Sequence, residues 1–313
     1  MRVHGNIADN LFIVDIWIVK KQRSLFSEQV GVRAKVRRKG FHVFVMLACV
    51  FTLSACTHHS PVTNSPLSSH SEGSLPLGSN AVAEKNTGNA NNELDIYVLI
   101  GQSNMAGRAP IPDAHKAPLD GVFVLNKLGK WVAAKHPLNL YSTIRKNEGM
   151  QKAGPGINFA KHMRQAQPNK KIGLVVNARG GSTIAEWCRN CEYYKQVLTR
   201  LSYIENKDSI KGVLWLQGES DQAKPAGYID KLKQLVVDLR RDLAKENLPF
   251  IAAQVNNIPL INKQIAALPT VLDNTAVVYS NDLTAMDALH YDFASIQAIG
   301  ERFAIEMQRL NGE

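Results

Sequence analysis

From residue 94 onward the chain is punctuated by continuous apolar, largely β-branched runs, each closed by a turn former. They are IYVLIG (96–101), VFVLN (122–126), IGLVVNA (172–178), GVLWLQG (212–218), FIAAQV (250–255) and AVVYS (276–280). None alternates cleanly between apolar and polar, so each reads as a strand covered on both faces. Between them lie patterns of helical period at 156–167, 192–206, 228–247 and 293–310. Strands alternating with amphipathic helices predict an α/β fold, a parallel sheet with helices on both sides. In such sheets ligands collect beyond the carboxyl ends of the strands. The polar clusters that close several of these runs are therefore the places to look for chemistry.

Ahead of residue 94 the pattern changes. Residues 32–40 (VRAKVRRKG) are strongly basic, and FHVFVMLACVFTL (41–53) is apolar but too short for a permanent membrane span. The pair reads as a signal peptide. It ends in Leu53-Ser54-Ala55-Cys56, which resembles a bacterial lipobox, so Cys56 is expected to become the lipidated first residue of the mature protein. The competing expectation is an ordinary cleaved leader in which Cys56 is incidental. Lipidation predicts a bacterial cell-envelope protein anchored through Cys56, with Thr57 compatible with outer-membrane sorting and the domain on the periplasmic or surface side. Residues 56–93, rich in Ser, Asn, Pro and Gly without hydrophobic period, read as a flexible tether. Residues 1–31 fit neither pattern and are expected to precede the true translation start. One folded domain, 94–313, remains.

Charge is informative through its location. Of the formal +10 on 313 residues, residues 1–55 carry +6, with nine Lys/Arg against three acids, and the rest only +4. A domain this mildly basic has no footprint calling for a polyanion, so no nucleic-acid partner is expected. The nine His and four Cys show no zinc spacing, so no metal or cofactor is expected either.

Four clusters follow strands. GQSNM places Ser103 just past the first one, where it could equally cap a short helix. NARGGSTIAEW (177–187) offers backbone N–H groups at Gly180-Gly181, and glycine permits close approach to a substrate. LWLQGESD (214–221) carries Gln217, Glu219 and Asp221. NDLTAMDALHYD (281–292) carries Asp287 three residues before His290, a spacing at which an acid can orient the imidazole. Together they provide a hydroxyl, a base, an orienting acid and fixed donors, the inventory of acyl transfer.

These motifs, in this order, resemble the SGNH hydrolase superfamily, and more closely its sialate O-acetylesterase and carbohydrate esterase family 6 branch, over roughly 94–310. The resemblance implies a three-layer flavodoxin-like fold with about five parallel strands. It implies Ser103 as nucleophile, His290 as general base and acid, and Asp287 as the residue that orients it. Its oxyanion hole comprises the Ser103 and Gly181 N–H groups and the Gln217 side-chain amide, where the wider superfamily supplies an asparagine. Glu219 and Asp221 are read as bracing the loop. Asp282 and Asp292 are rivals of Asp287 at unsuitable spacing. Gln102, Arg179, Glu186 and Trp187 are expected to line the substrate side, or else to pack the loop.

Cys188 and Cys191, in a compartment reached through a signal peptide, are expected to form a disulfide stapling the loop after Gly181. Three functions compete: a serine esterase removing O-acetyl groups from carbohydrates such as acetylated xylan or sialic acid, an esterase or lipase for lipid or aliphatic acyl esters, and a non-catalytic glycan-binding lipoprotein. Retention of Ser103, Asp287 and His290 favours an enzyme.

Overall fold

A computed structural model describes residues 94–312. The proposed leader, the alternative start, Cys56 and the tether lie outside the described residues.

The described chain forms one sheet of seven strands: β1 (Leu94–Gly101), β2 (Val122–Leu125), β3 (Trp131–Ala133), β4 (Lys171–Ala178), β5 (Ile210–Leu216), β6 (Phe250–Ala253) and β7 (Thr275–Val278). Their order is β3-β2-β4-β1-β5-β6-β7. All six runs read from the sequence are strands, and all pair in parallel. The expected count of about five is corrected to seven: six parallel strands and an antiparallel edge, β3 on β2. β3 escapes the sequence because three residues, none of them fully buried, carry no periodicity.

The strands are continuous in apolar residues because both faces are covered. Ile96, Val98, Leu99 and Ile100 of β1 are all buried, as are Leu174, Val175 and Val176 of β4 and Val213, Leu214 and Trp215 of β5. Each such aliphatic side chain stabilises the fold by about 1.5–3 kcal/mol. Four main helices cover the sheet: α2 (Gly156–Ala166), α3 (Glu192–Leu201), α4 (Tyr228–Asp242) and α7 (Phe293–Asn311). α2 packs along α7, while α3 and α4 pack against the turn that follows β4. Three short helices complete the set: α1 (Ser103–Ala106), α5 (Pro259–Ala266) and α6 (Leu268–Val271). α3 ends five residues earlier than its pattern suggests. There Lys207 Nζ takes up the carbonyls of Leu201 (2.5 Å) and Ile204 (2.6 Å), which no longer need helical partners.

The topology decides where chemistry can occur. β1 lies between β4 and β5, so the loops leaving these three strands emerge side by side at one end of the sheet. Gly101 makes the approach tight. Its φ is +138°, and a Cβ there would lie 2.2 Å from the Leu216 carbonyl oxygen. The next N–H, that of Gln102, donates to that same oxygen at 2.9 Å. A side chain at position 101 would push β1 and β5 apart where their loops must meet.

Candidate active site

Ser103 is the first residue of α1, directly beyond the β1 terminus, and is only 6% exposed. The segment 281–292 after β7 brings His290 to it across 187 residues of sequence. His290 Nε2 lies 3.1 Å from Ser103 Oγ. His290 Nδ1 lies 2.8 Å from Asp287 Oδ2. The carboxylate can only accept at Nδ1, which puts the proton there and turns the Nε2 lone pair toward the serine hydroxyl. Asp287 Oδ1 also accepts the N–H groups of Leu289 (2.8 Å) and His290 (2.7 Å). The Leu289 N–H, with help from the imidazole and the His290 N–H, holds the Asp287 carboxyl down at about 2. It is therefore ionised wherever an imidazole titrates.

The rivals are occupied elsewhere. Asp282 forms an ion pair with Arg302 (2.5 Å). Asp292 caps α7 through Ser295 N–H (2.8 Å) and accepts from the Thr284 hydroxyl.

Gly181 adopts φ +77°, and its N–H has no hydrogen-bond partner among the described residues. It is a free donor on the turn after β4. Gln217, expected in an oxyanion hole, has its side-chain amide engaged by neighbouring groups in this structure. The side chain is fully buried, with Nε2 2.6 Å from Asp221 Oδ2 and 2.8 Å from the Ser182 carbonyl. With Gln102 Oε1 at 3.2 Å, three acceptors compete for the two hydrogens of this amide nitrogen, and the two nearest engage both. Gln217 instead holds the glycine turn in place, and Asp221 Oδ2 also takes the Ile184 N–H (3.0 Å).

Gln102 and Trp187 likewise do not line a substrate side. Gln102 is buried, and its Oε1 accepts from Gln217 Nε2 (3.2 Å) and from the N–H groups of Gly218 (3.4 Å) and Ser220 (3.3 Å). Trp187 is fully buried, donates to Ser182 Oγ (3.0 Å) and meets Trp215 edge-on at 5.3 Å. Both are buried supports of the two loops. Glu186 closes a capping box with Thr183, accepting its N–H at 2.7 Å. Arg179 donates to the carbonyls of Ile144 (3.1 Å) and Arg145 (3.3 Å) and stands over the Tyr193 ring, so it braces the 142–145 segment. Cys188 and Cys191 form a disulfide (S–S 2.06 Å) in the segment leading into α3.

Two residues carry more than the sequence suggested. Asn104 ties the serine segment to the histidine segment: its Nδ2 donates to Leu289 O (3.0 Å) and its Oδ1 accepts Tyr291 N–H (3.1 Å). Nδ2 also donates to Glu219 Oε1 (2.6 Å). Glu219 is buried with Oε2 unpartnered, and burial, the leading cause, raises its carboxyl to about 7. Arg108 is 8% exposed and pairs with no carboxylate among the described residues.

With this geometry in place, comparison with known proteins is specific. Residues 93–309 match the family described as carbohydrate esterase, sialic acid-specific acetylesterase. The chain belongs to this family. A probable carbohydrate esterase of Arabidopsis thaliana is 33% identical over 180 residues, covering 51% of this chain and 68% of that protein. An Arabidopsis thaliana crystal structure superposes with a TM-score of 0.62 at 27% identity, covering 68% of this chain and 97% of that one. NanS (TM-score 0.56, 19% identity, 68% and 96% covered) shares the fold. So does a carbohydrate acetylesterase of Xanthomonas citri (TM-score 0.54, 21% identity, 70% and 57% covered). The protein is thus a carbohydrate esterase, an ester hydrolase on a largely parallel α/β sheet.

Proposed function

We propose that this esterase removes O-acetyl groups from carbohydrates through an acetyl-enzyme on Ser103. The observation that carries the reading is the continuous line of hydrogen bonds from Asp287 through His290 to Ser103 Oγ; Gly180, whose Cβ position lies 3.6 Å from the Ser103 Cβ, is followed directly by the uncommitted N–H of Gly181. Ser103 Oγ attacks the ester carbonyl as its proton passes to His290 Nε2. The imidazolium is stabilised by ionised Asp287, and the tetrahedral oxyanion is held by the Ser103 and Gly181 N–H groups. Collapse breaks the bond to the sugar oxygen, which takes the proton from Nε2. Water then attacks the acetyl-enzyme, giving its proton to His290, and acetate leaves as Oγ recovers that proton.

A short acyl group suits the surroundings of Ser103. Arg108 packs beside it, and an alkyl chain lying against a buried guanidinium would strip the charge of hydration without replacing it. Acetylated sialic acid and acetylated xylan are the substrates to try first; the matching family description and the carbohydrate esterase relatives support this choice. The cell-envelope location through a lipid on Cys56 belongs to the same proposal and is supported by the sequence pattern of 32–56 alone. Loss of membrane association in a Cys56→Ala variant tests it.

The test of function uses a protein beginning after Cys56, measuring p-nitrophenol release from p-nitrophenyl acetate, butyrate and octanoate and then acetate release from acetylated sugars. Activity confined to acetate and abolished by Ser103→Ala is the expected result. Preference for octanoate would replace the reading with a lipase. A folded protein inert on every ester would leave a glycan-binding module.

A further inference from the structure

Gln217 spends its amide hydrogens on Ser182 and Asp221, so the oxyanion site proposed above holds two backbone donors and lacks the side-chain donor expected at the end of β5. Arg108 is a buried cation on the segment that follows Ser103. Its Nη1 is fixed by the carbonyls of Gly107 (2.7 Å) and Met150 (3.1 Å), which sets the plane of the guanidinium. Its Nε and Nη2 make no hydrogen bond among the described residues. Nη2 lies against Gly180: a Cβ on Gly180 would be 2.4 Å from Nη2 and 3.6 Å from the Ser103 Cβ. The guanidinium nitrogen and the serine Cβ are therefore no more than 6.0 Å apart, the sum of those two separations. Gly180 immediately precedes the Gly181 donor, and only a residue without a side chain leaves room for the arginine there. Burial of the guanidinium lowers its pKa from the ordinary arginine value, as expected of a cation without a counter-charge.

We infer that Arg108 donates a third, charged hydrogen bond from Nη2 to the substrate carbonyl oxygen as it becomes an oxyanion on Ser103. This rests on the acyl-transfer reading of the site. The absence of a carboxylate partner is what suits it to the role. A guanidinium already neutralised by an acid has little field left for charge that appears only in the transition state, whereas an uncompensated, pre-oriented one meets that charge without reorganisation. No proton is transferred, because arginine remains charged throughout. Arg108 also lies deep, beside Ser103, whereas a residue that recognises an anionic sugar is expected at the rim, where exposed Lys146 places its Nζ 3.1 Å from the Cβ position of Gly181.

The test compares Arg108→Gln, Arg108→Lys and Ser103→Ala with the parent enzyme on two acetyl esters. One is neutral, p-nitrophenyl acetate, and the other is 9-O-acetyl-N-acetylneuraminic acid, which carries a carboxylate. Arg108→Gln is expected to lower kcat about 10²-fold on both, with KM within about threefold, the size and type of loss seen when one oxyanion donor is removed. Arg108→Lys, which keeps the charge, is expected to recover part of kcat, and thermal melting of each variant confirms that it is folded. A purely structural arginine would lower the melting temperature without the split between kcat and KM or the rescue by lysine, and that result overturns the inference. So does a loss confined to the acidic ester and expressed in KM, which would make Arg108 a carboxylate-binding residue. If Arg108→Gln is unchanged while Ser103→Ala is dead, the inference fails and the acyl-transfer reading stands. If Ser103→Ala keeps full activity, both fall.

Discussion

The two halves of the proposed catalytic arrangement are built on opposite principles. Ser103 and the loops beside it leave three adjacent central strands, and their polar groups are buried and cross-bonded: Gln102, Gln217, Asp221 and Ser182 hold one another in a closed network. The half that brings the base is a twelve-residue excursion after the edge strand β7. Here the Asp287 side chain is 51% exposed and that of His290 23% exposed. Its regular backbone pairing is an isolated bridge between Ala285 and Tyr291, with the Met286 N–H on His290 O at 2.9 Å. The buried half sets the donors through packing, which is stiff. The exposed half sets the base through a few hydrogen bonds, each worth about 1 kcal/mol, and so depends on a clamp to the other side. Asn104 is that clamp.

The largest break in this contrast comes from the exposed half. Asp287→Asn is expected to leave the fold intact and reduce kcat by about 10²–10⁴, because the amide no longer fixes the Nδ1 tautomer or stabilises the imidazolium. Since the Asp287 carboxyl is held at about 2, its own protonation begins only near that pH, so the acid limb of the parent's rate profile is expected to belong to another group. A limb that vanishes in Asp287→Asn would contradict this.

Asn104→Ala removes the clamp without touching the nucleophile. Because it frees Leu289 O and Tyr291 N–H and removes the side-chain donor to Glu219, a stability loss of about 1–3 kcal/mol is expected in denaturant unfolding. A fall in kcat of about tenfold should accompany it as His290 loses its register. Full activity with normal stability would show that the 281–292 segment holds itself.

The smallest effect on activity belongs to Glu219, whose titration is expected to show in stability instead. Glu219 is raised from the ordinary carboxylate value of 4.5 to about 7 by burial, against the help of Asn104 and the Glu219 and Gly218 N–H groups and with Asp221 adding to the rise. Its neutral form is the one the fold prefers. The Glu219 contribution to stability is thus expected to be fully present below about pH 4.5, to be lost, by as much as about 3 kcal/mol, between there and about pH 7, and then to level. Glu219→Gln should flatten that decline, as read from unfolding midpoints at pH 5 and pH 8. An unchanged slope would assign the dependence to other groups.

Much of the fold was legible in the chain because strands buried on both faces must be apolar throughout. Val98, Val175 and Val213 announce themselves without any tertiary information. β3 did not, since Trp131–Ala133 has too few residues for a period and gains its place by pairing with β2. Among the site residues, Ser103, Asp287 and His290 were legible from motif and spacing. The hydrogen bonds that tie Gln102, Gln217 and Trp187 to neighbouring loops were not legible, because a polar or aromatic residue at a strand end looks alike in sequence whether its donors face a substrate or a neighbouring loop. Arg108 was passed over because its partner is the missing side chain of Gly180, 72 positions away.

The sequence by itself determined the layered α/β sheet and the set of chemical groups at its strand ends, because apolar periodicity and turn chemistry are local properties. Only the tertiary structure decided which of those groups are free to act. Whether a donor is spent depends on what lies within 3 Å of it, and that is set by the order β4-β1-β5 and by a histidine brought in from 187 residues away.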